Sequence, residues 1–313
     1  MKKNDISRRQ FIKNSLVLGS SVVLSSVPLK VFSQPKSTGI LKGFNNPYGI
    51  AVGPDGLIHV SDSGNYCIKI FSRTGELLRQ FGKPGSGGAH LNYPQGIAVD
   101  SSGDIYVMDS NNGRIAIFSS DGEFKNEIGT IGGYPGAFYT PKGILLGDDE
   151  RIYAANTRNH MIYAFDKKSR ALIANYGILG EDPENIGPGS VDYRFRLPTD
   201  LVISPDGWMY VVDSKHGAVK VLDSNGQFLF KFGTNGSAPG QLNLPEGIAM
   251  DRSGILYVCD SLNSRVQRFT KDGTYLDEMS AGFVNPAGIC LDADDTIYVV
   301  DSGQNIVKIF KWS

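Results

Sequence analysis

Leu244-Pro245-Glu246-Gly247-Ile248-Ala249-Met250-Asp251-Arg252-Ser253-Gly254-Ile255-Leu256-Tyr257-Val258-Cys259-Asp260-Ser261, followed by Arg265-Val266-Gln267-Arg268-Phe269-Thr270-Lys271-Asp272-Gly273, is the stretch on which the reading of this chain turns. Its runs Gly247 to Met250, Ile255 to Asp260 and Arg265 to Phe269 are rich in β-branched and aromatic residues, and Ser253-Gly254, a polar loop and Asp272-Gly273 separate and close them. Glycine supplies the positive φ that tight hairpin turns need, so the stretch reads as three short antiparallel strands. A fourth strand over about Tyr275 to Met279 completes the unit. Four strands of this length cannot bury both faces alone, and the unit requires neighbours like itself.

The neighbours are in the same sequence. Pro-x-Gly followed by an Asp-Ser pair recurs at Pro47/Asp62-Ser63, Pro94/Asp109-Ser110, Pro141/Asn156-Thr157, Pro198/Asp213-Ser214, Pro245/Asp260-Ser261 and Pro286/Asp301-Ser302, with Asn-Thr in the third copy and Asp200 in place of the Gly in the fourth. The Pro-to-Pro steps are 47, 47, 57, 47 and 41 residues. A period in the forties with four strands per unit is the mark of a β-propeller. The fold class is therefore all-β, a six-bladed β-propeller with four antiparallel strands per blade. Its repeats start near residues 44, 91, 138, 195, 242 and 283 of a domain spanning residues 34–313.

Residues 1–33 stand apart. Lys2 and Lys3 precede Ser7-Arg8-Arg9-Gln10-Phe11-Ile12-Lys13 and an apolar run from Leu16 to Val27, and Val31 and Ser33 suit cleavage before Gln34. The paired arginines resemble a bacterial twin-arginine export signal, which implies a periplasmic or extracytoplasmic mature protein. The apolar run is too short to span a bilayer, so no integral membrane segment is expected after cleavage. Without residues 1–33 the chain keeps 25 basic and 31 acidic residues, a mildly acidic body that argues against nucleic acid as a partner. Three cysteines make no disulfide framework. Cys259 and Cys290 read as small core residues, and Cys67, in the slot held by Arg114 and Arg265, is expected to be partly exposed.

The last repeat stops at Phe310-Lys311-Trp312-Ser313 with no outer strand left. Ser37-Thr38-Gly39-Ile40-Leu41-Lys42-Gly43-Phe44 resembles the outer strand Arg73-Thr74-Gly75-Glu76-Leu77-Leu78-Arg79-Gln80-Phe81. Thr38 to Gly43 is therefore expected to pair beside Val307 to Lys311, closing the last blade with the N-terminal strand and removing a free sheet edge.

The repeats resemble the NHL family of propeller repeats from about Phe44 to the end of the chain. The resemblance rests on Pro-x-Gly-Ile-Ala-Val, on Tyr-Val-x-Asp-Ser, on Asn112-Gly113-Arg114-Ile115 and Asn263-Ser264-Arg265-Val266, and on Asn159-His160-Met161-Ile162. It implies the fold; function has to be argued from the site, because binding platforms and enzymes share such repeats.

Comparing the repeats with one another separates shared features from exceptions. The Asp ending the second strand recurs in five copies and is expected to cap the loop that follows it. The exceptions cluster on the face bearing the longer loops. There the residue between Pro and Gly changes from Tyr48 to Gln95, Lys142, Thr199, Glu246 and Ala287, and the connection from Gly177 to Leu197 is ten residues longer than its equivalents. That connection carries Glu181, Asp182, Glu184, Asp192, Tyr193, Arg194 and Arg196.

His59 stands where other copies have Tyr, whereas His90, His160 and His216 fall in loops of that one face. Three histidines could hold zinc with a position left open. The peptidyl-hydroxyglycine amidating lyases, which resemble these repeats, place such ligands four residues after the Asp position. Here only His160 fits that slot, which elsewhere holds Tyr66, Gly113, Gly217, Ser264 and Asn305.

The expectation is an exported, non-catalytic binding or scaffold propeller that recognises a protein, peptide or other ligand, with a subunit role in an exported complex as one form of it. Its contact residues are expected among Lys142, Arg158, Asn159, His160, Tyr193, Arg194, Asp200, His216 and Glu246. No cofactor is expected. The alternative is a metal-dependent lyase or hydrolase at the channel mouth, with His160 and His216 as candidate ligands of a divalent metal.

Overall fold

In the computed structural model, residues 35–177 and 194–312 are described. They form six four-stranded antiparallel sheets arranged as blades. In the fifth blade the strands are Ile248–Met250, Leu256–Asp260, Arg265–Phe269 and Tyr275–Met279, within a residue of the bounds read from sequence. The second strand of every blade is buried along almost its whole length, because its two faces pack on the two neighbouring blades. The core is accordingly a series of clusters shared between blades: Tyr210, Val219 and Phe232 of blade 4, for example, pack with Leu256, Val258 and Phe269 of blade 5.

The sixth blade closes as expected. Its strands Pro286–Leu291, Thr296–Asp301 and Ile306–Lys311 are completed by the N-terminal strand Lys36–Leu41. Lys36 pairs with Lys311, Ile40 with Lys308 and Leu41 with Val307, with a bulge between Ser37 and Gly39 that sets the register a little upstream of the one anticipated. Leu41 is 3% exposed and joins Phe44, Val307 and Ile309 in one cluster.

Two readings are corrected by the fold. Cys67 is buried rather than partly exposed, and so are Arg114 and Arg265 in the same slot, because each of these side chains packs inside its blade. The Asp that ends the second strand makes no side-chain cap to the turn after it. It accepts instead from the backbone of the segment that leads into its own blade: Asn45 N to Asp62 (2.7 Å), Asn92 N to Asp109 (2.6 Å), Arg196 N to Asp213 (2.6 Å) and Asn243 N to Asp260 (2.6 Å). The carboxylate thus ties the inter-blade segment to the blade, and the link to the following loop is carried by a side chain three residues on, such as Asn65, Asn112 or Asn263. The export signal read in residues 1–33 lies outside the described residues.

Candidate functional site

The first strands of the blades line a central channel of about 330 Å³. At its long-loop end the Pro-x-Gly segments bring their variable residues together. Lys142 Nζ donates to both oxygens of Glu246, at 2.9 and 2.8 Å, and sits 5.1 Å from the centre of the Tyr48 ring. The Tyr48 hydroxyl donates to Glu246 Oε2. Burial, with Glu246 beside it, raises the Tyr48 phenol well above its ordinary range and keeps it a donor. Three residues from blades 1, 3 and 5 therefore span the mouth, while Gln95, Thr199 and Ala287 of the alternate blades are tucked into the wall. The Lys142 and Glu246 side chains are 23% and 19% exposed, so the cluster is reachable from solvent.

Asp200 lines the same channel. It keeps a partial opening to the lumen but has protein on every side, and this enclosure outweighs the small exposed area: desolvation pushes its carboxyl up to about 7, with Glu246 adding repulsion. Its Oδ2 accepts from Ile248 N at 3.1 Å, linking blade 4 to blade 5. The sequence named Lys142, Asp200 and Glu246, and these three do meet at one end of the channel. Tyr48 was visible at the same repeat position but not singled out; its membership of that variable ring was the available signal.

The loop residues are placed differently. His160, like Tyr66, Gly113, Gly217, Ser264 and Asn305 in the same slot, adopts a left-handed backbone, with φ of 59°. That conformation explains the Gly and Asn found there. The His160 Nδ1 accepts from Leu197 N at 3.1 Å and fastens the turn to the approach of blade 4. His216 stands where four other blades have Asn and the sixth has Gln304, with Nδ1 2.7 Å from Asp213 Oδ2. Asn159 is buried, donating to the carbonyls of Gly132 and Ala137. The Arg194 carbonyl accepts from Lys220. Tyr193 lies outside the described residues. Among the described residues, no three His, Cys, Asp or Glu side chains gather as a metal-ligand set.

Arg158 is exposed, and its guanidinium lies 5.6 Å from the Tyr139 ring centre. Next to it the loop between blades 2 and 3 exposes Ile131 by 60%, Tyr134 by 57% and Tyr139 by 44%. This patch was not picked out from sequence, because tyrosines in a Gly-rich loop look like ordinary loop residues until the loop is folded.

Comparison with known proteins agrees with the fold. The NHL repeat profile matches residues 44–71 and 91–118, and the profile of the SMP-30/gluconolactonase/LRE-like region matches residues 190–304. No curated protein sequence matches the chain. Among solved structures, a gluconolactonase of Xanthomonas campestris is 15% identical with a TM-score of 0.66, covering 90% of this chain and 95% of its own. A catalytically inactive virginiamycin B lyase of Staphylococcus aureus with quinupristin is 19% identical with a TM-score of 0.60, covering 84% and 79%. Hydrazine synthase of Kuenenia stuttgartiensis is 17% identical with a TM-score of 0.58, covering 87% and 97%. At these identities the likeness is one of fold, and it spans proteins of unrelated chemistry.

Proposed function

We propose that this chain is an exported, non-catalytic propeller that binds a protein or peptide on its long-loop face. The observation that carries the reading is the patch of Ile131, Tyr134 and Tyr139 with Arg158 stacked beside it. Tyr and Arg are the residues enriched at binding hot spots, and large apolar side chains grouped on one loop are unusual without a partner. The Tyr48–Lys142–Glu246 cluster adds a polar group on the same long-loop face. A photo-crosslinking residue placed at Tyr134 is expected to capture a periplasmic partner, and capture should fall at least tenfold when Arg158→Glu and Tyr139→Ala are introduced. Equal capture by a probe at Asp121, on the opposite face, would count against the reading. The twin-arginine-like start predicts that a reporter fused after residue 40 reaches the periplasm only in cells with that export route.

A second reading, a lyase or hydrolase acting at the channel mouth, is favoured by Asp200. A carboxyl pushed up to about 7 beside Glu246 is suited to give and take a proton near neutral pH. His160 and His216 spend their Nδ1 atoms on Leu197 N and Asp213, and the described residues do not provide a ligand set for the metal-dependent form. An activity lost in Asp200→Asn while folding and partner capture persist would favour this second reading.

A further inference from the structure

On the face opposite the long loops, the turn joining the first two strands of one blade meets the turn joining the last two strands of the next. Among the described residues a cation of one blade reaches across to the next at five of the six junctions, at three of them from these turns and at two from a strand beside them. Arg73 of blade 1 pairs with Asp294 of blade 6 at 3.5 Å, Lys167 of blade 3 with Asp100 of blade 2 at 3.1 Å, and Lys271 of blade 5 with Asp206 of blade 4 at 3.7 Å. Between blades 1 and 2, Arg79 donates to the Ser120 carbonyl and pairs with Asp121 at 3.2 Å. Between blades 5 and 6, Arg268 holds Asp277 and lies 3.5 Å from the centre of the Trp312 ring.

The junction of blades 3 and 4 breaks the pattern. The position of Arg73, Lys167 and Lys271 is filled by Ser120 in blade 2 and by Ser224 in blade 4. Arg79 of the neighbouring blade reaches Ser120, whereas the turn opposite Ser224 reads Asp148-Asp149-Glu150, with Asp149 aligned to Asp206 and Asp294 and paired, among the described residues, only with Arg151 of its own blade. What remains is a groove of about 530 Å³ whose walls include Leu146, Tyr153, Tyr176 and Met209. Its charged lining is Asp148, Asp149 and Asp223 against the one guanidinium of Arg151. Asp149 accepts from the Tyr153 hydroxyl at 2.8 Å and has Arg151 of its own blade at 3.4 Å. The junction of blades 5 and 6 shows what such a setting accommodates: a guanidinium that pairs with a carboxylate and lies over aromatic rings, as Arg268 does with Asp277, Tyr257 and Trp312.

We propose that this groove binds an alkylguanidinium or alkylammonium group brought by a ligand, in the place that the chain's own side chains fill elsewhere. The groove is remote from the long-loop face, and the inference stands independently of the function proposed above. Isothermal titration calorimetry of the purified protein with agmatine, and separately with the peptide acetyl-Gly-Arg-Gly-amide, tests it. One-site binding is expected, weakened at least tenfold both by Ser224→Lys, which copies the cation of blades 1, 3 and 5, and by the double change Asp148→Asn and Asp149→Asn. Ser224→Lys should melt no lower than the parent; if it misfolds, Ser224→Gln fills the same space and should weaken binding with the melting curve unchanged. Agmatine binding identifies a free small cation as ligand, and binding of the peptide alone identifies a side chain of a partner. Failure of both probes to bind, or affinity unchanged by the fold-preserving Ser224 variant, overturns the proposal.

Discussion

Asp62, Asp109, Asp213, Asp260 and Asp301 are all 0% exposed, and each has a cation against it: Lys69 at 2.7 Å, Arg114 at 2.9 Å, Lys220 at 2.9 Å, Arg265 at 2.8 Å and Lys308 at 3.5 Å. The cation comes from five residues on when it is Arg and seven on when it is Lys. In blade 3 those positions are Met161 and Tyr163, and there the Asp is replaced by Asn156. A buried charge without a partner is costly, so charge and counter-charge vanish together. Asn156→Asp is expected to destabilise the protein by about 3 kcal/mol in urea denaturation, the scale of an uncompensated buried charge. Adding Tyr163→Lys should recover part of the loss. This covariation is legible in one sequence because six copies stand in for an alignment. The donors of the Asp were not legible, since they lie 17 residues upstream and the sequence pattern alone favoured the turn beside it. Asp200 makes a prediction of opposite sense. Its folded-state pKa, about 7, lies above the ordinary 3.8, so the folded protein holds a proton that the unfolded chain releases. Stability relative to Asp200→Asn should therefore fall as pH rises from about 4 to about 7 and level off above, a trend that denaturation midpoints at pH 5 and pH 8 would show.

At the scale of strands, the period-two runs and turn glycines carried nearly all the information, and strand bounds read from sequence fall within a few residues of those observed. The pairing of the N-terminal strand was legible too, through its likeness to an outer strand; its bulged register was not, because Ser37-Thr38-Gly39 gives no sign of which residue is left out of the ladder. Leu41 anchors this strand in the cluster with Val307 and Ile309. Leu41→Ala is expected to cost about 3 kcal/mol. Removing everything before Phe44 should lower the melting temperature by about 10 °C or more, as a strand's worth of contacts is lost from a cooperative ring. An unchanged circular dichroism melt of the truncated protein would show that the seam contributes nothing.

Across the whole molecule, the blades meet most closely around the channel through glycine. A methyl group on Gly49 would lie 2.2 Å from the Gln95 carbonyl oxygen, on Gly96 2.3 Å from that of Lys142, on Gly247 2.3 Å from that of Ala287 and on Gly288 2.3 Å from that of Tyr48. The glycine of each Pro-x-Gly thus serves the approach of the next blade. Gly96→Ala is expected to destabilise by about 2 kcal/mol or more, because backbone of two blades must part to admit it, whereas Asp200→Gly, which restores the arrangement of the other junctions, should be tolerated in the same denaturation assay. Asp200 was visible in the sequence as a broken repeat. The meeting of Lys142 and Glu246 was not, because 104 residues separate them and only the curvature of the ring brings them together.

The union of Lys36–Leu41 with Ile306–Lys311 also fixes when the molecule can finish folding. Lys36–Leu41 precedes every other described strand, and its partner Ile306–Lys311 follows them all. Individual blades can form during synthesis, but the ring has an open edge until Ile306–Lys311 leaves the exit tunnel, and loop closure between these two distant strands is the slow step. A nascent chain stalled before residue 306 should accordingly remain open to protease at Lys36–Leu41, and the emergence of Ile306–Lys311, more than of any single blade, is the event that makes the ring resistant.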